Sequence, residues 1–322
     1  MSRLLVTRRL PDGALDAVAE ASGVEIVERP EDKPFTPAEL AEAAGSLDGI
    51  VCLITDRIDA DVLAAGKGRL RVVANVAVGY DNIDVAAATE AGVVVCNTPG
   101  LLDDTTADLA FALILAASRR LSEAETDLRA GRWAGWEIDQ YLGRDIHDAT
   151  LGLVGYGGIG RAVGRRARGF GMEVLHHTRT PTGESGWVGD LHELLARADV
   201  VSLHVPLTAR TRHLIGRPEL DVMKSTAVLV NTSRGPVVDE EAVAEALEAG
   251  RIFAAGLDVF EAEPAVHPRL LAAPRAVLTP HVGTATVATR LAMARMAVRS
   301  ALAVLAGEIP DNALNPEAAL SS

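Results

Sequence analysis

A chain of 322 residues, 48% hydrophobic and 23% charged, is long enough for two domains with separate cores and has the composition of a soluble globular protein. Its formal net charge of −13 argues against nucleic acid or an anionic membrane surface as a partner, although a local basic pocket can still take a small anion. The only two cysteines, Cys52 and Cys96, lie in apolar stretches and predict buried free thiols. With no signal-peptide pattern and no run as long as a membrane span, the expected location is the cytoplasm.

The first hundred residues alternate apolar, β-branched-rich runs with helical patterns. The runs are Leu4–Thr7, Val24–Val27, Gly49–Ile54, Leu70–Val76 and Val93–Cys96, and helical patterns such as Pro37–Ala44 and Ala60–Ala65 lie between them. Such alternation predicts a parallel sheet with crossover helices. A long helical pattern follows from Asp104 to about Gly131, apolar over Leu109–Ala117, and is expected as one helix buried between domains. An irregular stretch, Trp133–Asp148, comes next. A second α/β series then runs through Leu151–Val154, Met172–His176, Val200–Val205, Val228–Asn231, Ala254–Val259 and Ala276–Leu278. The final helix, Ala285–Leu305, is expected to cross back onto the N-terminal domain, which has no closing helix of its own. The predicted organisation is therefore a discontinuous domain, 1–102 with 285–322, and an inserted one, 103–284.

The chemistry concentrates in the second series. Leu151–Gly160 reads Leu-Gly-Leu-Val-Gly-Tyr-Gly-Gly-Ile-Gly, a buried-strand pattern running into G-x-G-x-x-G and then a helix. Gly155 allows the tight turn, Gly157 lets backbone approach a pyrophosphate, and Gly160 lets helix and strand pack closely. Amides and dipole at the helix start favour the anion. After the next strand come Thr178, Arg179 and Thr180, with no acid until Glu184. A carboxylate there would read the 2′-hydroxyl of NAD, whereas guanidinium and hydroxyl groups suit a 2′-phosphate. NADP(H) is thus the preferred cofactor and NAD(H) the alternative.

Three further strand ends carry Arg234 in Asn231–Pro236, Glu263 in Gly256–Pro264, and His281 in Thr279–Gly283. An arginine between small residues at a sheet's carboxyl edge suits bidentate capture of a carboxylate. A carboxylate beside an imidazole favours the imidazolium, making His281 the candidate proton donor with Glu263 as its partner. His176 and His177 alternate on a strand and no metal-ligand spacing occurs, so no metal is assigned.

On these residues the chain resembles the D-isomer-specific 2-hydroxyacid dehydrogenase family, and most of all its glyoxylate/hydroxypyruvate reductase branch. The likeness spans nearly the whole chain. It rests on Val76–Asp84, Asp104–Asp108, the glycine loop, His204–Thr208, Asn231–Gly235, Asp258–Pro264 and Thr279–Gly283. The resemblance implies two doubly wound parallel-sheet α/β domains, a Rossmann cofactor domain inserted into a flavodoxin-like substrate domain. It implies an Arg234–Glu263–His281 triad, with the Val78 and Gly79 amides on the substrate carboxylate. It also implies cofactor contacts at Thr106, Gly157, Gly158, Ile159, Pro206, Thr232 and Asp258, with His281 and Gly283 bordering the nicotinamide. A homodimer is implied too, with the long helix and the tryptophan-bearing stretch at its interface. The expected reaction is reduction of a small 2-oxoacid to the D-2-hydroxyacid.

Two departures stand out. Gly158 replaces a larger, often basic residue, removing a side-chain contact to phosphate, and the segment after Arg179 is short. Leu53, Ile54, Trp133, Trp136 and Tyr141 are candidates to line the substrate pocket. Phosphoglycerate dehydrogenase-like and phosphite dehydrogenase-like enzymes share the motifs, the former often with an extra C-terminal regulatory domain that this sequence lacks. A formate dehydrogenase-like reading is weaker because Glu263 is present. From another class, a corepressor-like nucleotide-sensing scaffold shares fold and triad. An assay with glyoxylate, hydroxypyruvate and NADPH separates it from the enzyme.

Overall fold

In the computed structural model of the protein, residues 1–21, 23–29 and 32–321 are described. The chain forms two compact units: Met1–Leu102 with Ala285–Ser322, and Asp103–Thr284.

The first unit is built on five parallel strands, β1 (Ser2–Val6), β2 (Val24–Glu28), β3 (Gly49–Cys52), β4 (Val72–Asn75) and β5 (Val94–Cys96). They lie in the order β2-β1-β3-β4-β5, the flavodoxin-like arrangement. Both faces are covered, which is why the central strands are apolar without alternation. Leu5, Ile50, Val73 and Val95 point into one layer with Leu40, Val62 and Leu63. Their neighbours Leu4, Val51, Val72 and Val94 point the other way, against Ala297, Val298, Ala301 and Val304 of the helix Val287–Leu305. The helix Pro37–Ala44 starts at a reciprocal cap between Thr36 and Glu39, and Asp59 and Asp84 cap the next two. At the open edge of β5, Asn315 accepts the Val95 N–H at 2.7 Å and donates to Val93 O at 3.0 Å, occupying groups an edge strand leaves free.

The second unit holds β6 (Thr150–Val154), β7 (Glu173–His177), β8 (Val200–Leu203), β9 (Val228–Asn231), β10 (Ala254–Leu257) and β11 (Ala276–Leu278). All pairs are parallel, in the order β11-β10-β9-β8-β6-β7. Beyond β7 a single bridge joins His176 to Trp187, with His176 N–H to Gly186 O and Val188 N–H to His176 O both at 2.8 Å. The strand order reverses between β6 and β8, so their carboxyl ends open a crevice of the kind that takes ligands in such sheets.

The expected long helix is two. The first, Asp103–Ser118, ends where Arg120 takes a left-handed conformation (φ 53°), and Leu121–Arg129 starts afresh. The Arg144 N–H takes up the Ser118 carbonyl at 2.8 Å, and a Cβ at Gly143 would lie 2.4 Å from that oxygen. The crossing segment thus replaces the next helical turn. Within its unit the first helix packs on β9 and β10; a Cβ on Gly256 would come within 3.0 Å of the Leu113 Cβ.

Candidate active site

At the end of β6 the glycines behave as their spacing predicts. Gly155 has φ +93°, and a Cβ there would lie 2.5 Å from His204 O. A Cβ at Gly160 would lie 2.4 Å from Gly155 O, whereas one at Gly157 would meet nothing within 4 Å. Gly157 is therefore open, and the helix Gly158–Gly169 begins without a side-chain cap. Uncapped N–H groups at a helix start behind an open glycine fit a pyrophosphate, with Ile159 half-buried beside them. Gly158 has a local cause: a Cβ there would lie 2.0 Å from Asp103 Oδ2. Burial, and then the charge of Asp104, push the Asp103 pKa up.

Past β7, Arg179 is exposed and forms no hydrogen bond or ion pair among the described residues. The nearby acid Glu184 is bound by Arg161, whose guanidinium lies 4.6 Å over the Tyr156 ring. The hydroxyl predicted to help hold a phosphate is otherwise engaged. Thr178 Oγ1 donates to Thr180 O at 2.7 Å and accepts from Trp187 Nε1 at 3.2 Å, so it shapes the turn and keeps no proton for a ligand.

At the opposite side of the switch, Thr106 and Thr232 are buried, and their hydroxyls have no partner among the described residues. Buried hydroxyls left unbonded are costly and mark places where a ligand completes the bonding. A Cβ at Gly283 would lie 3.3 Å from Asp258 Oδ2 and 3.5 Å from the Thr106 methyl, so Thr106, Asp258 and Gly283 converge. Together with the open glycine turn, these groups fit a nicotinamide dinucleotide. Pro206 is exposed, its carbonyl accepting from Thr211 Oγ1 at 2.6 Å.

Asp258 also builds the histidine loop. Its carboxylate accepts from Thr279 Oγ1 (2.6 Å), Val282 N–H (2.8 Å) and Gly283 N–H (2.8 Å), and its carbonyl accepts the His281 N–H (2.8 Å). Burial pushes its pKa up against those hydrogen bonds. His281 sits at φ 53°, a conformation few non-glycine residues take, and this frame holds it there. Parallel register sets Leu257 beside Leu278, so the loops after β10 and β11 leave the sheet together. Glu263 on the first loop meets His281 on the second, Oε2 to Nδ1 at 2.8 Å. A carboxylate only accepts, so Nδ1 carries the proton and Nε2 is the ring nitrogen left for a substrate. Glu263 Oε1 accepts the Phe260 N–H at 2.9 Å. Burial opposes ionisation of Glu263, but the bonds from His281 and Phe260 and the charges of His281 and Arg234 outweigh it, and its pKa is lowered. Arg234 leaves β9 on a turn shaped by Asn231, whose side chain donates to Arg234 O (2.9 Å) and accepts from Ser233 N–H (3.0 Å).

In the first unit the stretch Val76–Asn82 is tied down from beneath. Asn97 donates to Val78 O (2.8 Å), and Asn75 donates to Gly79 O (2.9 Å) and Asn82 Oδ1 (3.0 Å). Asn82 donates to the carbonyls of Leu53 (3.2 Å) and Asp56 (3.0 Å). With both carbonyls held, the N–H groups of Val78 and Gly79 have no partner among the described residues. Two adjacent free amides can hold an anion. Asn75 and Asn97 were missed from sequence; a buried polar residue closing an apolar strand was the available signal. Of the aromatic candidates, Trp133 and Trp136 are exposed and Tyr141 donates to Asp127. Both cysteines are free and buried. Among the described residues no His, Cys, Asp and Glu group could hold a metal, and no helix is long and apolar enough to cross a membrane.

Comparison with known proteins decides the family. The family model for the D-isomer specific 2-hydroxyacid dehydrogenase NAD binding domain matches residues 111–283. The chain belongs to the D-isomer specific 2-hydroxyacid dehydrogenase family. This dehydrogenase is similar to the glyoxylate reductase of Korarchaeum cryptofilum, 46% identical across 98% of this chain and 96% of that one. It is 42% identical to the glyoxylate reductase of Thermococcus litoralis, across 99% and 98% of the two. Its fold matches the NADPH-dependent glyoxylate/hydroxypyruvate reductase of Sinorhizobium meliloti, solved with NADP and malonate, at a TM-score of 0.83 and 33% identity over 98% of this chain and 97% of that one. The dehydrogenase is thus an oxidoreductase of the 2-hydroxyacid type with a nicotinamide cofactor.

Proposed function

We propose that this dehydrogenase reduces a small 2-oxoacid of the glyoxylate or hydroxypyruvate kind to the D-2-hydroxyacid, with NADPH preferred over NADH. The observation that carries the reading is the 2.8 Å pairing of Glu263 with His281 at neighbouring strand ends, under the charge of Arg234. When bound, the cofactor supplies a hydride to the carbonyl carbon. Arg234 binds the substrate carboxylate and polarises the carbonyl. In the unit of 1–102 with 285–322, the adjacent free amides of Val78 and Gly79 are suited to a carboxylate. His281 gives the proton at Nε2 to the carbonyl oxygen and regains one from solvent, and ionised Glu263 keeps the ring charged until transfer. In this reading the unit 103–284 carries the nucleotide, held at Thr106, the glycine turn, Thr232 and Asp258, and the unit of 1–102 with 285–322 carries the substrate loop.

Support for NADPH comes from the free Arg179 and from Glu184 being neutralised by Arg161, together with the NADP found in the Sinorhizobium meliloti relative. We assign a homodimer to the face carrying Leu121, Leu128, Trp133, Trp136, Ile138 and Leu142, whose exposure is unusual for such large apolar side chains. The buried free thiols suit a reducing compartment, and we place the enzyme in the cytoplasm. Steady-state rates across a panel of 2-oxoacids with NADPH and NADH test the proposal. The expected result is fastest turnover of glyoxylate or hydroxypyruvate with NADPH; no turnover of any 2-oxoacid overturns it.

A further inference from the structure

A buried carboxylate outside the assigned site holds the loop that carries Glu263. Glu240, only 4% exposed, opens the helix Glu240–Glu248. Its Oε1 accepts the N–H of Glu261 and its Oε2 that of His267 at 3.4 Å. Both ends of the loop Glu261–His267 therefore hang on one side chain, with Glu263 between them. The clasp is reciprocal. Glu240 N–H donates to Glu261 Oε1 at 3.0 Å, and His213 Nε2 meets Glu261 Oε2 at 3.0 Å. Burial pushes the Glu240 pKa up, while the two loop N–H groups favour its ionised form. The same loop abuts the turn that presents Arg234: a Cβ at Gly235 would lie 1.9 Å from the Phe260 carbonyl carbon. Nothing but glycine fits, so a displacement at Glu261 is passed to the arginine turn and to Glu263 together.

We propose that Glu240 is a positioning residue for the acid pair, setting the distance between Glu263 and His281 by clasping both ends of the Glu261–His267 loop. The inference rests on the proposed role of that pair. A bond as short as 2.8 Å depends on a fixed loop, and this loop projects from the sheet with Glu263 itself exposed. No residue beneath it other than Glu240 accepts from both of its ends among the described residues. Removing the carboxylate leaves two N–H groups without acceptors, and the loop drifts to find water.

The test compares Glu240→Ala, Glu240→Gln and Glu263→Gln in the full enzyme, reading kcat against pH, cofactor Kd and melting temperature. In Glu240→Ala, kcat is expected to fall about tenfold and the alkaline limb of the reduction to move about half a unit to one unit toward lower pH, with cofactor Kd unchanged. Glu240→Gln keeps one acceptor for Glu261 and is expected to recover most of both. Glu240→Asp, which withdraws the charge by one methylene, carries the test if the alanine variant does not fold, and shifts the limb the same way. Limbs at the wild-type pH in every Glu240 variant, with only the melting temperature lowered, overturn the inference. If Glu263→Gln moves the limb and the Glu240 variants do not, this inference alone fails. If Glu263→Gln also leaves the limb in place, the acid pair itself has been misread.

Discussion

Replacing Glu263 by glutamine removes one charge and almost no volume, so it isolates the electrostatic part of the proton transfer. The two side chains are 27% and 34% exposed and meet at 2.8 Å. Unit charges about 4 Å apart attract by roughly 4 kcal/mol at an effective dielectric of 20, and exposure on this scale discounts that to about 1–1.5 kcal/mol. That is about a tenfold loss in the proton transfer the carboxylate supports. A second effect adds to it. The Phe260 N–H, bonded to Oε1 at 2.9 Å, keeps the amide oxygen of a glutamine. The amide NH2 then faces His281 Nδ1, which must accept and so be unprotonated. Reduction needs the charged ring, whose fraction falls as pH rises, so losing the carboxylate moves the alkaline limb of kcat to lower pH. In the wild type the lowered pKa of Glu263 keeps it ionised through the neutral range, and it adds no limb there. Expected for Glu263→Gln are a limb moved to lower pH and kcat down ten- to hundredfold near pH 7, part of the 10²–10⁴ that acid catalysis commonly gives. Initial rates at saturating 2-oxoacid and NADPH, from about pH 5 to 9, measure both. A limb that does not move refutes the pairing.

Arg179→Ala is expected to raise the KM for NADPH by about tenfold, one charge-assisted bond, and to leave the KM for NADH unchanged. Equal effects on the two cofactors contradict the phosphate assignment. Gly160→Ala sets a methyl 2.4 Å from the Gly155 carbonyl, backbone on backbone, so cofactor titration should show affinity reduced by at least tenfold. Burial pushes His204 down to about 4 from an ordinary 6.5. The unfolded chain binds that proton first, so folding stability should drop by roughly 2 kcal/mol on acidification between those pH values, as chemical denaturation at stepped pH reports. A His204→Asn variant should show a shallower decline.

The parts legible in sequence are those where one residue type has one physical reason to be there. Only glycine tolerates the φ of Gly155 and the contact at Gly160, so their spacing announced the turn. Glu263 and His281 could be paired because each lies in the loop after an apolar run, and parallel register then sets consecutive strand ends side by side. What stayed hidden depended on partners distant in sequence. The break at Arg120 has no glycine or proline to announce it; it follows from a segment at Gly143–Arg144 taking over the Ser118 carbonyl. Gly158 read as a lost phosphate contact, but Asp103 fills the space a side chain would need. Thr178 read as a phosphate donor, and Trp187 and Thr180 claim its hydroxyl. Glu240 looked like any acid in a first helical turn, where the dipole favours it, and only the loop folded over it distinguishes it.

Proton donation by His281 to the 2-oxoacid is the step on which every other proposed role depends. The direct measurement is single turnover of glyoxylate by His281→Ala loaded with NADPH, with cofactor affinity determined separately. Near-normal NADPH binding and a reduction step slowed by about 10²–10⁴-fold are expected. A step close to the wild-type rate would rule out His281 as the proton donor.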